Sequence, residues 1–196
     1  MSGGQANESG EFAAIPVGLD TSDVELLFDR IYEDYEPSVE RWVRRLAGPA
    51  ADVEDLVHDV FVIALRRRRE FRGDAKLSTW LFRIAELVVR KRRARNRLRR
   101  FLDMLHRSDE EATSPPNPTP LEEVERRQRC ARLYRALDRL PDKYRTAVIL
   151  CDLEGTPAED AAHMLGVTAN AVWVRVHRGR AKLHAQLSSN KEGAAV

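Results

Sequence analysis

Cysteine is nearly absent from this 196-residue chain: Cys130 and Cys151 are the only two, with no Cys-x-x-Cys and no Cys/His cluster. That excludes a disulfide framework and argues against a structural zinc site. Long apolar runs are missing too. The longest without Pro or Gly, Val60–Leu65, has six residues, against about 20 needed to span a bilayer. The opening MSGGQANESGEF has no basic segment followed by an apolar stretch, so no signal peptide is expected. No paired-carboxylate metal site, nucleophile–base set or phosphate-cradling glycine loop occurs, which argues against an enzyme and calls for no cofactor. Strand-period segments of useful length and internal repeats are also lacking. What is present is enough to fold: 43% hydrophobic and 33% charged residues can bury a core and are too apolar for a wholly disordered chain. The expectation is a cytoplasmic protein with no membrane association.

The net charge of +2 conceals large blocks of one sign. Residues 20–60 carry 12 acids and 4 bases, residues 66–100 carry 15 bases and 3 acids, residues 101–125 carry 7 acids and 1 base, and residues 126–187 carry 12 bases and 6 acids. The basic blocks suit a polyanion. The acidic blocks suit a basic protein surface, or keep that part of the chain off DNA.

Residues 1–20 read as a flexible tail. Helical spacing begins near Thr21 with Val24, Leu27, Phe28 and Ile31, and repeats in Val39, Trp42, Val43 and Leu46 until Gly48-Pro49. Asp52 can cap a further helix with the apolar stripe Val53, Leu56, Val57, Val60, Phe61, Ala64 and Leu65. After Gly73, Ser78 or Thr79 can start a helix that runs on into KRRARNRLRR. Residues 108–120, SDEEATSPPNPTP, contain four prolines and read as an acidic linker. The fold class is therefore all-α: two small helical domains, 21–107 and 121–187, on a flexible tether that should hold them apart, with 188–196 as a tail.

Residues 141–187 carry the sharpest local pattern. Pro141 opens a helix with Tyr144, Ala147, Val148 and Cys151 on its apolar side, ending near Glu154-Gly155. Thr156-Pro157-Ala158-Glu159 has the spacing of a capping box. A short helix, Ala158 to Leu165, meets Gly166, and Thr168 can cap a longer last helix. Short helix, glycine turn and longer helix make a helix-turn-helix, whose second helix enters the major groove. That helix presents Asn170, Trp173, Val174, Arg175, His177, Arg178, Arg180 and Lys182. Arginine can meet guanine edges or phosphates, asparagine can read adenine, and valine or tryptophan can meet a thymine methyl. The blander reading is a helical hairpin with a solvated basic face. Cys151 reads as a small core residue, and His163, His177 and His184 as surface histidines.

In the first half, fifteen bases are interleaved with Phe71, Trp80 and Phe82. Bases track phosphates and aromatic faces stack on unpaired nucleobases, so the combination suits DNA that is being opened. The alternative is that Trp80 and Phe82 are core. The helix before it offers Asp52, Glu54, Asp55 and Asp59 beside its apolar stripe, either as dipole stabilisation or as an acidic docking face.

DVEDLVHDVFVIALRRRREFRGDAKLSTWLFRIAE resembles region 2 of bacterial extracytoplasmic-function (group IV) sigma factors of the sigma-70 family. ALDRLPDKYRTAVILCDLEGTPAEDAAHMLGVTANAVWVRVHRGRAKL resembles their region 4. The resemblance implies a non-catalytic factor that binds core RNA polymerase and directs promoter recognition, melting and transcription initiation. The implied docking residues for the β′ clamp helices are Asp52, Glu54, Asp55, Leu56, Asp59 and Phe61, with region 4 on the β flap. The implied −10 set is Phe71, Arg72, Asp74, Lys76, Ser78, Trp80 and Arg83. The implied −35 set is Thr168, Asn170, Trp173, Val174, Arg175, His177 and Arg178. An anti-sigma partner is implied as well. The chain departs from the family at Glu86, Leu87 and Lys91, and at Trp173 and Val174, where polar groups are usual, so an atypical −35 sequence is expected. The rival reading is a stand-alone helix-turn-helix regulator.

Overall fold

The structure, a computed structural model, describes residues 21–106 and 121–192. The tail at 1–20 and the linker at 108–120 lie outside the described residues. Seven helices follow in order: α1 (Thr21–Ala47), α2 (Val53–Arg66), α3 (Leu77–His106), α4 (Leu121–Asp138), α5 (Asp142–Val148), α6 (Ala158–Leu165) and α7 (Ala169–Glu192). A short 3-10 turn, Arg68–Glu70, follows α2, and α5 widens into a π turn, Ile149–Leu153. No strand occurs among the described residues.

The first half is a three-helix bundle. The two apolar stretches on either side of Pro37 form one helix, α1. It buries Ile31, Val39, Trp42, Val43 and Leu46 against Leu56, Val57, Val60, Phe61 and Ala64 of α2 and Leu77, Leu81, Phe82, Ile84, Ala85, Val88 and Val89 of α3. Trp42 meets Phe82 edge-on with centroids 5.5 Å apart. Each fully buried large apolar side chain here contributes about 1.5–3 kcal/mol. The Asp55 amide donates to Asp52 Oδ1 at 3.2 Å, so Asp52 caps α2 as its place before the stripe predicts. Helix α3 starts at Leu77, ahead of both Ser78 and Thr79, and Trp80 is only partly covered.

In the second half, α6 has the expected bounds, but the capping box does not form. Pro157 is the N-cap and no side chain bonds the cap. Gly166 takes the left-handed conformation, φ +63°, and the Val167 amide donates to Ala162 O at 3.0 Å, closing α6 in a Schellman turn. Thr168 Oγ1 then accepts from the Ala171 amide at 3.2 Å and starts α7, which runs past Leu187 to Glu192.

Helices α5 and α7 approach closely at Gly179. A Cβ there would stand 2.5 Å from Val148 Cγ2 and 3.4 Å from the Tyr144 carbonyl oxygen. Gly179→Ala is therefore expected to destabilise by about 1–3 kcal/mol, the cost of overpacking. Denaturant unfolding of the full chain checks this; an unchanged midpoint would show that α7 shifts freely.

The two halves do not stand apart. Helix α3 packs on α6, and α1 packs on the π turn. The tether was expected to separate them because proline and charge favour extension. Local composition cannot register complementary charges on helices far apart in the chain.

Candidate functional site

Two surfaces gather the expected site residues. One is an open cleft of about 890 Å³ between α1 and α2, lined by Tyr32, Glu36, Glu40, Arg44, Asp52, Glu54, Asp55 and His58 among others. Asp52, Glu54 and Asp55 lie exposed at the start of α2. Asp55 and Asp59, one turn apart, both pair with Arg92 of α3, the Asp59 contact at 3.6 Å. Those carboxylates raise the Arg92 guanidinium above its ordinary pKa, mainly through the Asp55 hydrogen bond. Leu56 and Phe61 are buried, and Phe61 meets Tyr32 with centroids 4.6 Å apart. Both seat α2 in the bundle, and the acids occupy its outward face. Glu36 and Glu40 were not singled out from sequence, although their i, i+4 spacing puts them on one face of α1.

The second surface is the helix-turn-helix. Val172 and Val176 are buried beneath α7. Thr168, Asn170, Trp173, Val174, His177 and Arg178 are exposed and Arg175 is half-buried. Trp173 is 60% exposed, a large apolar group that the fold leaves uncovered. Arg180 bonds Asp152 at 3.0 Å and so is tied to the π turn. Arg178 hydrogen-bonds the Tyr144 hydroxyl, which holds that phenol below its ordinary pKa against the opposing effect of desolvation; Lys143 and Lys182 act in the same direction as Arg178. The Lys143 ammonium also lies 5.1 Å from the Tyr144 ring centroid. Tyr144 was read only as a core residue, and the Arg178 bond is set by the close α5–α7 approach that Gly179 permits.

The residues expected to read an opened strand divide. Phe71 is buried and packs on Trp80, centroids 5.4 Å apart. The pair anchors the start of the 71–77 loop on the bundle. Arg72, Asp74 and Lys76 are exposed and Ser78 is partly so. Arg83 turns the other way, toward α6: its Nε donates to Met164 O at 3.2 Å and Nη2 to His163 O at 3.3 Å. Among the described residues no His/Cys/Asp/Glu group is placed to hold a metal ion, and no helix is long and apolar enough to cross a membrane.

Comparison with known proteins matches both halves. Residues 31–100 match the family described as Sigma-70 region 2, and residues 130–183 match Sigma-70, region 4. The chain is 32% identical over 164 residues to the RNA polymerase sigma factor NccH of Alcaligenes xylosoxydans xylosoxydans, covering 84% of this chain and 88% of that protein. It is 31% identical over 177 residues to the ECF RNA polymerase sigma factor SigM of Mycobacterium tuberculosis, covering 83% of each. A solved structure of CnrH in complex with the cytosolic domain of CnrY is similar with a TM-score of 0.54 and 25% identity, covering 84% of this chain and 90% of that one.

Proposed function

The chain belongs to the extracytoplasmic-function group of the sigma-70 family and acts as an RNA polymerase sigma factor in promoter-directed transcription, and on that premise we propose which of its surfaces does what. Residues 21–107 form the domain that takes core polymerase and the −10 element; residues 121–187 form the domain that takes the −35 element. The acidic face of α2, with Asp52, Glu54, Asp55 and Asp59, docks on the basic surface of the β′ clamp helices. The 71–80 loop and helix start, with Arg72, Asp74, Lys76, Ser78 and Trp80 outermost, meets the −10 non-template strand, and Arg83 joins them once released from α6. The exposed start of α7, Thr168 to Arg178, enters the major groove at −35, and the same domain rests on the β flap. The chain works in the cytoplasm, has no catalytic activity of its own and needs no cofactor.

The observation that carries this reading is one of placement. A helix-turn-helix with an uncovered reading face and an acidic cleft with an outward carboxylate row occur in one chain. Such a chain can hold duplex DNA and a basic protein surface at once. CnrH is solved with the cytosolic domain of CnrY, which supports an anti-sigma partner for this chain too.

Run-off transcription with purified core polymerase tests the proposal. Specific transcripts are expected from a promoter selected with the reconstituted holoenzyme. Specific duplex binding by the chain alone, with no effect of polymerase, would instead support a stand-alone regulator.

A further inference from the structure

We propose that Arg132, Arg135 and Arg139 form a binding site for a compact polyanion, the diphosphate group of a small phosphorylated ligand. Helix α4 is rich in arginine, and its two ends treat that charge differently. Near its start Arg126 and Arg127 share Glu123, and Arg129 pairs with Glu125. Further along, Arg132, Arg135 and Arg139 are exposed and have no carboxylate partner among the described residues. The acids nearest in the chain are turned elsewhere: Asp138 faces Arg93 and Arg145, and Asp142 faces Arg93.

The three arginines stand at i, i+3 and i+7, which brings them to one side of α4 and the turn after it. With Ala136, and with Gln186 and Leu187 of α7, they line a hollow of about 240 Å³. Ala136 is buried, as are Leu137 and Leu183 where α4 and α7 pack together. The negative end of the α4 dipole accounts for a cation in the last turn, but that effect fades within one turn. Arg132 lies six residues before the helix ends at Asp138. Three like charges around one hollow repel one another, and a bound anion offsets them.

The chemistry selects the occupant. A guanidinium presents a planar fork that meets phosphate oxygens two at a time. Three forks on one hollow suit adjacent phosphate groups better than a single carboxylate. The volume lies below the ~300–1,000 Å³ of pockets that enclose a whole small ligand. The charged group therefore enters, and the rest of the ligand stays outside. Duplex DNA is the less favoured occupant. A recognition helix enters the groove with its N-terminal residues first. Gln186 is eighteen residues beyond Thr168, about 27 Å along α7, so the hollow stands clear of a duplex held at the start of that helix.

Titration calorimetry of the full chain with inorganic pyrophosphate at low salt, with no polymerase or DNA present, tests the site. Saturable binding of one pyrophosphate per chain is expected, with orthophosphate about tenfold weaker or more. Arg135→Ala should weaken pyrophosphate about tenfold. Arg135→Lys should recover part of that loss, because it restores the charge without the fork. Arg132→Ala with Arg139→Ala should abolish saturable binding. A control pair, Arg97→Ala with Arg100→Ala, removes the same charge from the exposed end of α3 and should change affinity less than about twofold. All these positions are exposed, and circular dichroism checks that each variant keeps the wild-type helix content. Binding that does not saturate, or equal weakening in the control pair, would reduce the effect to net charge and overturn the site. Displacement of pyrophosphate by hexaglutamate at a lower concentration would assign the hollow to an acidic protein segment and overturn the diphosphate. Displacement by a short duplex at matched phosphate concentration would assign the arginines to the DNA backbone instead. No polymerase or promoter enters the measurement, so its outcome is independent of the sigma-factor assignments.

Discussion

Replacing Asp55 and Asp59 together with arginine should lower affinity for core polymerase about 100-fold at low salt, equivalent to about 2.7 kcal/mol. The two carboxylates lie one turn apart on the outer side of α2, above the buried Leu56 and Val60. Reversing both sets like charges against a basic partner, and such juxtapositions cost several kcal/mol. The effect should shrink as salt screens the exposed part of the interaction. Both carboxylates also hold Arg92, so the double variant creates three neighbouring cations within the chain itself. Adding Arg92→Glu separates the two effects: it restores an internal pair while the outward charge stays reversed. Affinity should remain low in this triple variant while thermal stability recovers. Competition binding with labelled wild-type chain measures the first quantity and circular dichroism melting the second. Wild-type affinity in both variants would remove α2 from the polymerase contact.

Local signals read correctly where local physics decides. Asp52 before an apolar stripe, Thr168 after a glycine turn, and Gly166 at the end of a short helix each satisfy a backbone need within four residues. The end of α6 follows from the last of these. The capping box at Thr156–Glu159 had the same kind of support and did not form. Pro157 itself takes the cap position, with ψ near 149°, so Thr156 falls one residue short of it and Glu159 is out of register with Thr156. The π turn at Ile149–Leu153 has no periodic signature. It adds a residue to the ladder and carries Glu154 to the face of α1, a result of packing between domains. A stripe of apolar residues gives the buried side of a helix, and Leu56 and Phe61 lie on that side while the acids beside them do not.

Arginine is where sequence reading runs out. Arg41, Arg45, Arg83 and Arg93 have no local property that sets them apart from Arg97 or Arg100, and a basic block was read as a surface for polyanions. The fold spends four of them on carboxylates and carbonyls 45 to 113 positions away in the chain. Arg145 goes further: it is 2% exposed, lies 3.5 Å from Asp138, and burial lowers its pKa to about 10. Nothing in the sequence PDKYRTAV marks that arginine as interior. Only the enclosing helices do, and the nearby Asp138 and Asp142 keep it charged there.

Removing Arg175 and removing Arg178 should weaken promoter binding in two distinguishable ways. Arg175 leaves α7 on the flank of the buried Val172 and Arg178 further round the helix, and their surroundings differ. Arg175 is half-buried on the reading face beside exposed Trp173 and Val174. If it meets a guanine edge with both donors, Arg175→Ala should cost about 1–3 kcal/mol and relax preference at one base pair. Arg178 is exposed and hydrogen-bonded to the Tyr144 hydroxyl, with Lys143 and Lys182 close by. Three cations around one phenol suit a phosphate better than a base edge. Arg178→Ala should therefore weaken all promoter variants alike and flatten the dependence of log affinity on log salt by about one unit. Tyr144→Phe keeps every cation and loses the hydroxyl that orients Arg178. It should lower affinity by a smaller factor and leave the salt slope near that of the wild type, because the number of phosphates neutralised is unchanged. Holoenzyme binding to single-base promoter variants at several salt concentrations reads all three. Wild-type affinity and wild-type base preference in both arginine variants would mean that α7 does not read the −35 element. A salt slope that falls in Tyr144→Phe as far as in Arg178→Ala would mean that the hydroxyl is needed for Arg178 to reach the phosphate at all.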